Sequence, residues 1–217
     1  SSNSNEVIRD LQVLNSGGVN YIQDNQDKGD NNFDIVKTGK YYWNGGQKSM
    51  IMFEKMSWQY MKSVCCWVKM EVNEDGEFKR WSKIFDFYGA PYKSHFFLGN
   101  EDTTSNLIME FWHGTSRVMR LQVKDFFPKN GWVHICITAD DPLSTRPSWI
   151  VYKNGMEIYK HEDGHIPDTR MVRVHNIGQS GDSDDENFKG YIRDLRFYET
   201  PLERNKINNI MNYYKPI

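Results

Sequence analysis

The stretch Phe188-Lys189-Gly190-Tyr191-Ile192-Arg193-Asp194-Leu195-Arg196-Phe197-Tyr198-Glu199-Thr200-Pro201-Leu202-Glu203 decides the fold. Phe188 and Ile192 share one parity, and Leu195 and Phe197 take the other. A strand alternates its faces residue by residue, so the slip predicts a bulge near Arg193 and Asp194. Thr200-Pro201-Leu202-Glu203 then reads as a capping box with proline at the first helical position, which starts a helix there. Leu202, Ile207, Ile210 and Met211 give that helix one apolar stripe to lay back on a sheet. A closing strand that hands over to one short helix, behind a chain of strand patterns, describes a β-sandwich.

Upstream, Val64, Cys66, Val68, Met70 and Val72 alternate with Cys65, Trp67, Lys69 and Glu71. The first set predicts the interior face of a central strand and the second its other face. Trp132 to Thr138 repeats the pattern with Val133, Ile135 and Ile137 interior. Further strands are expected at 82–87, 95–99, 107–113, 117–123 and 172–177, and a short edge strand at 19–22. Another edge strand is expected within 7–14. Trp149 to Tyr159 is a hairpin turning at Asn154-Gly155, a pair that readily takes the positive φ of a tight turn. A second hairpin is expected from Gly39–Trp43 to Ser49–Phe53, around Asn44-Gly45-Gly46. No internal repeat or linker interrupts the sequence, so all 217 residues read as one domain.

Bulk properties narrow the function. A formal net charge of −2 argues against nucleic acid as the main partner. No apolar run reaches the length that spans a bilayer, so direct membrane insertion is not expected. The sequence starts Ser1-Ser2-Asn3-Ser4 without methionine or a signal peptide, which reads as a portion of a larger polypeptide.

The closing pattern F-x-G-x-I-x-D-x-R-x-Y followed by a short helix resembles the end of laminin G-like and pentraxin-like domains. Three further pieces stand in that family's order: Cys66-Trp67-Val68-Lys69, Gly131-Trp132-Val133-His134-Ile135-Cys136, and Trp149-Ile150-Val151-Tyr152-Lys153-Asn154-Gly155. The resemblance covers roughly residues 38 to 213. It implies an all-β, two-sheet antiparallel jelly-roll sandwich of concanavalin A-like, laminin G type, with a short C-terminal helix. It also implies recognition: a non-catalytic adhesion or lectin-like module of a secreted or cell-surface protein, binding a glycan or a protein partner. The alternatives are a structural or assembly domain without a ligand of its own, and a jelly-roll glycoside hydrolase.

Three cysteines allow at most one internal bridge. Cys65 and Cys66 sit on opposite faces of one strand, and Cys136 shares the parity of Cys65. Pentraxins join matching strands at V-C and V-H-I-C, which correspond here to Val64-Cys65 and Val133-His134-Ile135-Cys136. The expectation is a Cys65–Cys136 bridge with Cys66 free and buried; the alternative is three reduced thiols packed as small hydrophobes. The resemblance also points to calcium. Asp182, Asp184, Asp185 and Glu186 follow Ile177-Gly178-Gln179, as pentraxin calcium ligands follow I-x-G-Q. The Asp-Asn pair that pentraxins add from another loop is missing from Gly89-Ala90-Pro91-Tyr92-Lys93-Ser94, and the alternative is a solvated acidic loop.

Catalysis lacks its residues. Laminarinase-type jelly rolls carry E-x-D-x-x-E on a strand; Glu74-Asp75-Gly76-Glu77 has the wrong spacing and reads as a turn. His95, His113, His134 and His175 lie in strand patterns, without metal-ligand spacing. Trp67, Trp132 and Trp149 read as packing residues. Trp81, Tyr88, Tyr92 and Trp112 lie near loop ends and are candidates for a binding surface.

Overall fold

A computed structural model describes residues 19–23, 39–44, 51–53, 60–89, 94–141, 143–168, 172, 174–213 and 215–216. In chain order the strands are β1 (Val19–Gln23), β2 (Gly39–Asn44), β3 (Ile51–Phe53), β4 (Ser63–Met70), β5 (Lys83–Tyr88), β6 (Ser94–Asn100) and β7 (Leu107–His113). They continue as β8 (Ser116–Val123), β9 (Trp132–Ala139), β10 (Trp149–Lys153), β11 (Met156–His161), β12 (Val174–Ile177) and β13 (Lys189–Tyr198). One helix, α1 (Arg204–Tyr213), follows. The strands form a seven-stranded sheet ordered β1-β2-β13-β4-β9-β10-β11 and a six-stranded sheet ordered β3-β12-β5-β6-β7-β8. The pairings are antiparallel, and the two sheets make the expected sandwich.

Alternation places the core. Val64, Cys66, Val68 and Met70 of β4 and Val133, Ile135 and Ile137 of β9 face Phe85, Phe87, Phe96, Met109 and Phe111 of the other sheet. Burying a side chain of that size stabilises by about 1.5–3 kcal/mol each. The phenylalanines interlock: Phe87 meets Phe96 edge-on at 5.2 Å between ring centroids, and Phe85 meets Phe197 at 5.0 Å.

The far side of the seven-stranded sheet is also covered. Leu202, Ile207 and Ile210 pack there against Cys65, Cys136, Tyr152 and Tyr198 in a second apolar cluster. The helix is pinned by the Trp67 indole, whose Nε1 donates to the Met211 carbonyl at 3.1 Å. Cys65 and Cys136 are directly opposed in the β4–β9 register and are bonded, with the bridge fully buried and Cys66 free and buried.

The bulge sits where the parity slip placed it. The β13–β4 register shifts between Arg193 and Arg196, and Asp194 takes a positive φ of 54°. Its carboxylate accepts from Arg196 Nε at 2.6 Å, which supplies one buried charge with an opposite one. The Asn154-Gly155 hairpin also forms, with Lys153 opposite Met156 and both turn residues at positive φ.

Two expectations are corrected. The Gly39–Trp43 and Ser49–Phe53 segments do not form a hairpin: β2 pairs β1 and β13, whereas β3 pairs β12 in the other sheet. The chain therefore crosses between layers where local turn chemistry favoured a simple return. The helix begins at Arg204, not at the Thr200 box. There the Thr200 carbonyl accepts from Ser63 Oγ at 2.8 Å and the Leu202 amide donates to Thr138 Oγ1 at 2.9 Å. Those contacts tie 200–202 to β4 and β9, so tertiary bonds win over the cap. The edge strand at 19–22 is β1, while the expected strand within 7–14 lies outside the described residues.

Candidate functional site

The outer face of the six-stranded sheet follows from the inner one. With Phe85 and Phe87 in the core, Asp86 and Tyr88 must point outward from β5. The register then builds two rows across four strands. Asp86, Phe97, Glu110 and Arg120 stand opposite one another along the first. Tyr88, His95, Trp112 and Arg117 form the second. Adjacent strands lie about 4.8 Å apart, so the second row sets three rings side by side.

The row is held from beneath by charge. Asp86 is fully buried; its Oδ1 lies 2.5 Å from His95 Nε2, and its Oδ2 accepts from the Gly181 amide at 2.6 Å and from Ser180 Oγ at 3.3 Å. That carboxylate fixes the imidazole, whose ring stands 6.3 Å from that of Tyr88 and 5.0 Å from that of Phe97. Glu110, also buried, accepts from Trp112 Nε1 at 2.8 Å and from Arg120 Nη1 at 2.6 Å. Arg117 lies 5.8 Å over the Trp112 ring and reaches the same carboxylate at 3.4 Å. Arg120 and Gln122 both donate to Glu101, extending the network. Burial, reinforced by the Asp86 charge and opposed by a bond from Asn176, raises the Tyr88 pKa, so its hydroxyl stays neutral. The outward-facing groups are thus rings, a phenol and cations, and the carboxylates lie below them.

Beside the row opens a cleft of 680 Å³ at the end of the sandwich. Phe96 and Phe111 form its floor, and His95 and Trp112 belong to both cleft and row. Its rim carries Leu143, Val118 and Tyr60, which are 92%, 40% and 40% exposed. His113 and His165 line it as well. Burial lowers the His165 pKa, and the neighbouring His113 and Arg146 lower it further.

The acidic loop lies against this face. Asp185 pairs with the buried Lys83 at 3.2 Å and accepts from Ser180 Oγ at 2.7 Å. Glu186 pairs with Lys79 at 2.8 Å and accepts the Arg80 amide at 2.6 Å. Asp182 accepts the Asp184 amide at 3.0 Å. The structure therefore gives Asp185 and Glu186 lysine partners and turns Asp182 onto its own loop. Among the described residues no group of three or more His, Cys, Asp or Glu side chains is placed to hold a metal ion. Glycine at 181 lets the loop come this close, since a Cβ there would stand 2.6 Å from the Tyr88 ring.

Of the candidate aromatics, Tyr88 and Trp112 fall in one row. Trp81 stands apart, with Lys83 and Arg120 over its ring at 5.4 and 6.0 Å, and Tyr92 lies outside the described residues. His95, Asp86 and Glu110 are the residues of this candidate site that the sequence did not single out. For the two carboxylates the signal is a lone polar residue between core residues of a strand: Asp86 between Phe85 and Phe87, and Glu110 between Met109 and Phe111. Glu74, Asp75 and Glu77 lie exposed at a turn through Gly76, which has φ 78°.

A model of the family described as the concanavalin A-like lectin/glucanases superfamily matches residues 44–208. Solved structures share the fold at low identity. The botulinum neurotoxin type G receptor-binding domain superposes with a TM-score of 0.63 at 14% identity, covering 94% of this chain and 46% of that one. Domain 4 of AbnA, a GH43 extracellular arabinanase from Geobacillus stearothermophilus, in complex with arabinotriose, gives 0.56 at 19%, covering 88% and 87%. The CBM40 of the Ruminococcus gnavus IT-sialidase gives 0.54 at 14%, covering 70% and 82%. The chain thus spans about half of the toxin-domain chain it matches. No curated protein matches this chain significantly.

Proposed function

The chain belongs to the concanavalin A-like lectin/glucanase superfamily, and from that premise we propose that it is a non-catalytic module that recognises glycans on the outer face of its six-stranded sheet. One observation carries the reading: Tyr88, His95 and Trp112 stand directly opposite one another on three neighbouring strands, each facing outward. Pyranose rings offer a C–H face that packs on such aromatics. The Tyr88 hydroxyl, the imidazole and the Arg117 guanidinium supply directional bonds for sugar hydroxyls. A row so braced needs no reordering when ligand arrives, which lowers the entropic cost of binding.

The solved relatives support the ligand class. One was determined with arabinotriose, another with α2,3-sialyllactose, and a third, the botulinum neurotoxin type D domain, with N-acetylneuraminic acid. The state of the carboxylates supports the non-catalytic part. A glycosidase needs one carboxyl as acid and another as nucleophile or base. Here Asp86 and Glu110, the acids nearest the row, are buried and already bonded to imidazole, indole and guanidinium groups. We further propose that binding needs no calcium, since Lys79 and Lys83 pair with two of the acidic loop's carboxylates, Glu186 and Asp185, and that the module acts outside the cell, where the Cys65–Cys136 bridge forms readily.

A glycan array run with calcium and with chelator tests this. Expected is binding to a defined glycan set in both conditions, lost in Trp112→Ala and in Tyr88→Ala. A protein that binds no glycan, or whose binding both substitutions leave intact, refutes the site.

A further inference from the structure

We infer that the cleft beside the aromatic row receives an alkyl chain attached to the bound sugar, so that the module's ligand is a glycolipid-like glycoside rather than a bare saccharide. The inference rests on the aromatic row being the sugar site. Three observations carry it. First, the two features are continuous: His95 and Trp112 present one edge to the row and line the cleft as well. A sugar packed on those rings holds its substituent at the cleft's mouth. Second, the floor is Phe96 and Phe111, residues of the sandwich core, so the cleft opens onto apolar surface between the sheets. Third, the rim exposes large apolar side chains. Leu143 is 92% exposed, and Val118 and Tyr60 are each 40% exposed. Apolar groups gathered at one opening mark a surface that another apolar group covers.

The size and chemistry fit a chain rather than a further sugar. A cleft of 680 Å³ lies within the usual range for small-molecule sites, about 300–1,000 Å³. Over Val118, Leu143, Phe96 and Phe111 a second sugar ring finds no partner for its hydroxyls, whereas an alkyl chain loses nothing there; Lys62, Ser94, Ser144, Thr145 and Asp168 line the rest of the cleft. His113 and His165, which also line the cleft, would meet water or a linkage oxygen. His165, held toward its neutral form by burial, adds no fixed charge to repel an apolar guest.

Matched pairs of methyl and octyl β-glycosides of glucose and galactose, kept below the micelle concentration, test the inference by calorimetry. Expected is an octyl member bound at least roughly tenfold more tightly than its methyl partner, the worth of about two buried methylenes. Leu143→Asp and Val118→Asp should each cut that ratio to within about twofold, the cost of facing an alkyl chain with a carboxylate. Both positions are exposed, so the variants should keep the wild-type melting temperature. Octyl phosphocholine serves as the control without sugar. The inference is overturned by equal affinities within every pair, by an octyl preference that both substitutions leave intact, or by octyl phosphocholine binding as tightly as the octyl glycosides. A wild type that binds array glycans through Tyr88 and Trp112 yet shows no octyl preference overturns this inference alone. Loss of array binding itself overturns the row and the cleft together.

Discussion

Acid should destabilise this protein in part through His134. Its imidazole is fully buried on β9, 5.2 Å from the Trp67 ring, and among the described residues neither ring nitrogen has a hydrogen-bond partner. Burial, helped by the positive charge of Arg196, lowers its pKa from 6.5 to about 3. The unfolded chain therefore takes up a proton near pH 6.5 that the native state refuses until about pH 3. Stability from this group is fully present above pH 6.5 and is lost as pH falls toward 3. Each pH unit across that window costs about 1.36 kcal/mol, so the loss between pH 7 and 4.5 is about 2.5 kcal/mol. The perturbation is His134→Phe, which keeps a ring against Trp67 and removes the titration. Urea denaturation of both proteins at the two pH values gives four free energies, and every other titrating group cancels in the difference of differences. Wild type should lose about 2.5 kcal/mol more than the variant. Equal losses would mean that His134 is protonated in the native state, and the reasoning would fail.

Other outcomes follow from the same contacts. The Cys65–Cys136 bridge closes 71 residues, so Cys65→Ala with Cys136→Ala should cost about 4 kcal/mol in the chain-entropy model, read as a lower urea midpoint. A double variant as stable as wild type would refute it. The bridge lies under α1, so dithiothreitol should reduce it slowly in native protein and fast in urea; equal rates would contradict that burial. Asp86→Ala leaves His95, the Gly181 amide and Ser180 without their shared acceptor and should cost about 3 kcal/mol, with glycan affinity falling because the imidazole is no longer held. Millimolar calcium should leave the melting curve unchanged, because Asp185 and Glu186 are engaged by lysines; a rise that Asp182→Asn with Asp184→Asn abolishes would instead place an ion on that loop.

The sandwich was legible where neighbours in sequence are neighbours in space. The parity slip across Arg193 and Asp194 is a local property, and so is the positive φ that Asn154 and Gly155 accept. Period-two alternation in β4 and β9 assigned both faces and, with them, the half-cystine at 65 over that at 66. What escaped depends on register. Nothing local says that Tyr88, His95 and Trp112 share a row, because each pairing joins separate strands. Nor does the acidic loop announce that its charges meet Lys79 and Lys83, about a hundred residues earlier. Asn44-Gly45-Gly46 looks like a hairpin turn, yet β12 pairs with β3 and β13 with β2, which sends the two flanking segments to different sheets. The Thr200 box failed for a related reason: Ser63 and Thr138, distant in sequence, bond the Thr200 carbonyl and the Leu202 amide.

The proposed sugar site runs across β5, β6 and β7 on the outer face. An NMR titration of isotopically labelled protein with the best array glycan tests it most directly. The largest shifts should fall on the amides of Tyr88, His95 and Trp112 and on the indole Nε1–H of Trp112, with the β4–β9 face under α1 unmoved. Shifts centred on the β10–β11 hairpin or on α1, with the Trp112 indole unperturbed, would contradict it.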